Sequence, residues 1–233
     1  MSLNIFQTIR SILILVCVIL LSACQSTPLI ERYQEEHGGV SATNSTGFLS
    51  DYSKLKQVEG EDGQQVLRWV NPQFKPEQYT KIKVLPLVVL PIQKQSVDIP
   101  KEKLGEIQHY FDTALRAALS EKYTLSDASA HDVVQVKAAI TNIKLEAEGM
   151  KVTEVLPYGA VIGLIRTATD TRNQEVTVVL EVELTNSLSG ETEVSLLRVG
   201  EGEDIKMLWD ANFSLHHVQE LLDEWVLLAT TSF

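Results

Sequence analysis

Side chains able to do acid–base, metal or nucleophilic chemistry are sparse in this sequence and poorly grouped. There are five histidines. His216 and His217 are adjacent in a helical pattern, so they project about 100° apart and do not share one metal ion. Asp127, His131 and Asp132 precede an apolar run, where turn chemistry accounts for them better than an acid–base role does. Glu181 and Glu183 alternate with valines and leucines, which puts both on one strand face. That face is expected to be solvated, with Arg198 on a neighbouring strand balancing the charge. Trp69, Trp209 and Trp225 are candidates for a ligand pocket, although such tryptophans are more often core or core edge. The chain has no G-x-S-x-G, H-E-x-x-H, phosphate-binding loop, calcium loop or G-x-G-x-x-G. The expectation is no enzyme, no cofactor and no metal site. A hydrolase with an unrecognised site is the alternative.

The clearest chemistry is covalent and lies at Cys24. Arg10 and the α-amino group make a positive start, and residues 11–21 are almost wholly apolar. Eleven helical residues rise only about 16 Å, short of the ~30 Å hydrocarbon core. That favours a secretory signal, residues 1–23, over a spanning anchor. Leu21-Ser22-Ala23-Cys24 then resembles the bacterial lipobox. The resemblance implies cleavage between Ala23 and Cys24, a diacylglyceryl group (commonly palmitate-bearing) on the thiol, and acylation of the new amino group. An unmodified Cys24 within an ordinary cleaved signal is the alternative. Each buried methylene adds about 0.8 kcal/mol to membrane affinity, so several acyl chains anchor almost permanently. Gln25, rather than Asp, after the cysteine implies passage to the outer membrane. The expected location is therefore lipid-anchored at the outer membrane, on its periplasmic face. Cys17 leaves with the signal, so the mature chain carries neither a disulfide nor a cysteine metal site.

The elements that must position anything else follow from composition and periodicity. Residues 24–233 suit a single domain with a tail. The formal net charge is −11, and loss of Arg10 leaves the mature chain more acidic still. That balance argues against nucleic acid and against an electrostatic grip on anionic lipid. Residues 24–46 are polar and Gly/Ser/Thr-containing, which predicts a lipidated tether. GFLSDYSKLK, residues 47–56, is an isolated apolar cluster. Ser50 is a candidate cap for one helical turn that presents Leu49 or Phe48 with Tyr52 and Leu55, and a single turn is stable only if it docks. The stretch reads as a latch where tether meets domain, and residues 57–65 as a polar loop.

Beyond the latch, residues 66–72 and 79–91 read as strands, with Pro86 marking a bulge or sheet edge. Leu104, Ile107, Phe111, Leu115 and Leu119 make residues 100–122 an amphipathic helix. Residues 123–127 offer a short strand. In residues 132–148 the alternation slips after Ile140, which predicts a bulge near Thr141-Asn142. Val176, Val178, Leu180, Val182 and Leu184 alternate, and residues 174–199 read as an antiparallel hairpin turning at Ser187–Gly190. Residues 211–229 form a second helix. The expected fold is an α+β two-layer sandwich. It has a four- to five-stranded, mostly antiparallel sheet with two helices on one face, and it makes residues 47–233 one domain.

GFLSDYSKL, LRWVNP and YTKIKVLPLVV, then DVVQVKAAIT, a turn of the form Asp/Asn-Ser-x-Ser/Thr-Gly-Glu and a Trp-bearing C-terminal helix together resemble a family of bacterial lipoproteins known only as domain of unknown function 3313. The resemblance covers roughly residues 47–228. It implies an envelope lipoprotein and no assigned chemistry. The family's turn often begins with Asp where this chain has Asn186. One anomaly remains: PYGAVIGLIRTATD, residues 157–170, is apolar and too short to span a bilayer. It either closes the core or presents Tyr158, Val161 and Leu164 to a partner, a lipid ligand or the membrane. Two functions follow. One is a non-enzymatic module that binds an unidentified envelope protein. The other is a carrier or transport accessory for a lipid or small apolar ligand.

Overall fold

The structure is a computed structural model, and it describes residues 28–31, 46–90, 99–147, 174–206 and 212–231. The signal, Cys24 and residues 157–170 lie outside them. In chain order the elements are β1 (Lys56–Glu59), β2 (Gln65–Val70), a single 3-10 turn (Pro76–Gln78), β3 (Lys81–Val84), β4 (Val88–Val89), α1 (Lys101–Lys122), β5 (Thr124–Leu125), β6 (Val133–Ala147), β7 (Gln174–Asn186), β8 (Thr192–Glu201) and α2 (His216–Thr231). The strands form one eight-stranded sheet ordered β1-β2-β8-β7-β6-β3-β5, with β4 also paired to β6.

The architecture is α+β as expected, but the sheet is larger and mixed. β3 pairs in parallel with β5 and β6, and β4 in parallel with β6. The reason is the connection: α1 crosses from the β3–β4 edge back to the sheet, which returns the chain in the same direction. The extra strands carry no readable pattern. β4 and β5 are two residues each, and β1 exposes all four of its side chains, so no apolar alternation marked residues 57–65 as anything but loop.

The antiparallel centre follows the alternation closely. Val176, Val178, Leu180 and Leu184 of β7 join Val134, Val136, Ala138 and Ile140 of β6 in one core. The register breaks between Ile140 and Asn142, and Ile143 and Leu145 then return to the same face. Onto this face pack Ile107, Phe111, Leu115 and Leu119 of α1 and Val218, Leu221, Leu222 and Trp225 of α2. Each such side chain contributes about 1.5–3 kcal/mol when fully buried.

Pro86 interrupts the β3–β4 run as proline must, because it has no N–H for the ladder. α1 repairs the gap. Leu87 N–H donates to Asp112 Oδ1 at 3.0 Å, and Gln108 Nε2 donates to Leu87 O at 2.8 Å. The β7–β8 turn closes with Gly190 at φ 73°. Asn186 Oδ1 accepts from the N–H groups of Leu188 and Ser189, as an Asp would. Its Nδ2 also donates to Tyr79 Oη at 3.1 Å, which a carboxylate cannot do.

Gly202 sits where α2 meets the sheet. A Cβ there would collide with the His217 carbonyl oxygen, a backbone atom that cannot swing aside. Gly202→Ala is therefore expected to cost about 1–3 kcal/mol, read as a lower urea midpoint at unchanged slope. An unchanged midpoint would show that α2 is not seated this closely.

Candidate functional site

The sheet face opposite the helices holds the most unusual chemistry. Glu181 and Glu183 lie on β7, 0% and 1% exposed. The expectation of a solvated face is overturned, because the segment that opens the domain covers both. Ser50 N–H and Oγ donate to Glu183 Oε1 and Oε2 at 2.8 and 3.0 Å. Tyr52 Oη donates to Glu181 Oε2 at 2.5 Å, and Thr46 Oγ1 donates to Glu181 Oε1 at 2.9 Å. The N–H groups of Phe48 and Leu49 in turn donate to Tyr52 Oη, both at 3.1 Å. Ser50 is thus a carboxylate ligand rather than a helix cap, and residues 49–54 form bends and a turn rather than a helix.

Charge compensation comes from the neighbouring strand. Lys137 and Glu183 are directly opposed in the β6–β7 register. Lys137 Nζ lies 2.7 Å from Glu183 Oε2, donates to Phe48 O at 3.0 Å and sits 5.1 Å over the Phe48 ring. The lysine therefore binds the sheet and the latch together. Arg198 does not balance the pair. It is opposed to Leu180 and so faces the helix side, where it bonds Asp62 at 2.5 and 3.2 Å. Burial works to raise the Asp62 carboxyl, but the Arg198 and Gln64 donors outweigh it and hold Asp62 below the ordinary value.

Both carboxylates of this clamp are shut off from water and engaged by hydroxyls, an N–H and an ammonium. The interaction fixes the latch, since a buried carboxylate is tolerable only while its donors stay in place. Burial, followed by the bond to Glu181, pushes the Tyr52 phenol above its ordinary value of 10.0.

A second feature is open. A cleft of about 370 Å³ lies between the start of β3 and the C-terminus of α1, walled by Phe74, Pro76, Tyr79, Ile82, Tyr123 and Val134, with Glu77 and Lys122 also lining it. The Phe74 and Tyr79 rings are 5.9 Å apart. Tyr79 Oη donates to the buried Glu193 at 2.7 Å, which fixes the ring in the wall.

The remaining sequence candidates divide plainly. Trp225 is core, and Trp69 is half-buried with Lys54 Nζ 4.7 Å over its ring. His216 is on the surface 3.2 Å from Glu203, and His217 is buried against Ser214. Asp132 ties Thr80 and Lys81 to the strand entrance. Ala23, Cys24, Tyr158, Val161, Leu164 and Trp209 lie outside the described residues. Sequence reading missed Thr46, Ser50, Tyr52 and Lys137 as ligands of Glu181 and Glu183. Two signals were available: glutamates inside an otherwise apolar strand, where they are disfavoured, and hydroxyls interleaved with the apolar latch residues.

The features together define an α+β fold with one mixed sheet, to which its entry segment is clamped. The chain belongs to the family described as protein of unknown function (DUF3313), which matches residues 44–227 and so begins just before Thr46. It is 27% identical over 185 residues to the uncharacterized lipoprotein YdcL of Escherichia coli strain K12, covering 79% of this chain and 83% of that protein. Among solved structures it is similar to the PelC dodecamer from Paraburkholderia phytofirmans, at 12% identity and a TM-score of 0.34 over 70% of this chain and 96% of that one. It is also similar to a minor lipoprotein from Acinetobacter baumannii, at 9% identity and a TM-score of 0.30 over 66% and 91%.

Lys137→Met should cost about 3 kcal/mol in urea unfolding, because it strands a buried carboxylate. Lys54→Met, at an exposed contact over Trp69, should cost under about 1 kcal/mol. Equal effects would contradict the clamp. The pH dependence has a definite sign. Tyr52 is raised in the fold, so its contribution is complete below the unfolded phenol value and is lost as pH rises through the folded value. The stability difference between the wild type and Tyr52→Phe should hold constant up to about pH 10 and shrink above it. A difference that stays unchanged above about pH 10 would contradict this.

Proposed function

We propose that this chain is a lipid-anchored envelope protein that acts as a non-enzymatic binding module, held through Cys24 at the outer membrane and facing the periplasm. The observation that carries the reading is the lipobox at Leu21–Cys24 followed so soon by a segment clamped into the domain. Such a link makes the domain a positioned part of the membrane surface rather than a loosely held one. The name of the Escherichia coli relative supports the same anchoring. The non-enzymatic reading is supported by the engagement of Glu181 and Glu183 in the clamp. Tyr158, Val161 and Leu164 are the proposed partner contacts. The test is expression of the full chain with and without Cys24→Ser, followed by membrane fractionation and crosslinking in intact cells. The wild type should fractionate with the outer membrane and crosslink to an envelope protein. Changing Tyr158, Val161 and Leu164 to serine should remove that crosslink. A Cys24→Ser protein that stays membrane-bound would overturn the anchoring, and a crosslink that survives the triple change would overturn the contact.

The cleft beside Tyr79 favours a second reading, a carrier for a small apolar ligand. Its volume falls in the range of ~300–1,000 Å³ usual for small-molecule sites, and its wall is mainly aromatic and aliphatic. Native mass spectrometry of residues 25–233 purified gently from periplasm should then show added mass, and Phe74→Ala should reduce its occupancy. A bare protein mass would leave the binding-module reading alone.

A further inference from the structure

The point where the chain enters the fold fixes more than attachment. Ile30 is 0% exposed and packs with Leu67, Val179, Leu197 and Val199 on the sheet face opposite the helices. Glu31 is held beside it: its N–H donates to Pro28 O at 3.0 Å, and Gln57 Nε2 donates to its carboxylate at 3.1 Å. Among the described residues, docking on this face begins at Leu29 and Ile30, close in sequence to Cys24. A chain from residue 24 to residue 30 spans at most about 20 Å even when fully extended.

We propose that, once anchored through Cys24, the domain lies with the sheet face opposite α1 and α2 against the bilayer, with both helices directed away from it. The inference rests on the lipid-anchoring reading given above. The outer surface of a helix layer lies about 15 Å beyond the sheet it covers, taking ~10 Å between layers and ~5 Å for the helix radius. Ile30 sits on the other side. A leash to the helix side must first clear the sheet edge past β2 and β1, at about 4.8 Å per strand. The route comes to roughly 25 Å, longer than the leash. The helix side cannot therefore reach the membrane while Ile30 stays seated. β1 is the exposed edge nearest the anchor, since Gln57 bonds Glu31 and Glu59 follows on the same face. The fitting partner is the lipid headgroup surface itself.

The mature chain has no cysteine other than Cys24, so one added thiol is a unique handle. Full-length protein carrying Glu59→Cys or Glu224→Cys would be labelled with an environment-sensitive fluorophore. It would then be reconstituted into phosphatidylethanolamine/phosphatidylcholine vesicles containing a headgroup-nitroxide lipid. Both positions are exposed, one on β1 and one on α2. Quenching should be several-fold stronger at Glu59→Cys. A Gly/Ser insertion between Gln25 and Ser26, which lengthens the leash without touching the fold, should erase the difference. Equal quenching in the lipidated protein, stronger quenching at Glu224→Cys, or a difference that survives the insertion would overturn the orientation. An intact mass lacking lipid on Cys24 would overturn the anchoring reading, and this inference with it.

Discussion

Glu181 and Glu183 stand on the middle strand of the sheet, shut away from water, and everything around them is arranged to keep them satisfied. An ionised carboxylate taken out of water costs several kcal/mol unless donors replace the lost solvent. Here the replacements come from the sheet and from a segment more than a hundred residues earlier. Lys137 supplies the charge; Ser50, Tyr52 and Thr46 supply the geometry. Without the latch the sheet would expose two adjacent acids on a face otherwise built to be covered. Without the acids the latch would have little beyond Leu49 and Tyr52 to hold it. Each half therefore stabilises the other, and the entry to the domain belongs to the fold.

The same constraint links the two layers to location. α1 and α2 cover one face of the sheet through an ordinary apolar core. The other face is covered by chain close to the N-terminus, first at Ile30 and then at residues 46–55, over a smaller apolar cluster and the carboxylates. A lipid placed at Cys24 would thus act on a face that is already structured. The pull of the anchor would reach the Ile30 cluster on β2, β7 and β8 before it reached the clamp.

Much of this fold was legible, and the failures share one cause. Alternation along β7 named the residues of the core face, the slipped phase at Thr141 located the bulge, and the apolar stripe of α1 matched its buried side chains. Period-2 patterning tells which residues share a face, but not whether water reaches it. Glu181 and Glu183 were placed together correctly and assigned to solvent wrongly, because their cover is distant in sequence. Arg198 was matched to the wrong face for want of a register, which pairs it with Leu180. β1, β4 and β5 were too short or too exposed to show a period. The latch itself was readable as a unit that must dock. Its target was not.

The most direct test is native-state hydrogen exchange at the amides of Phe48, Leu49 and Ser50, each donated within the clamp. If the latch is part of the cooperative fold, these amides will exchange only through global unfolding, with protection equal to that of the β6–β7 core amides. Exchange orders of magnitude faster, as in a fraying terminus, would show that the glutamates do not bind the entry segment into the domain.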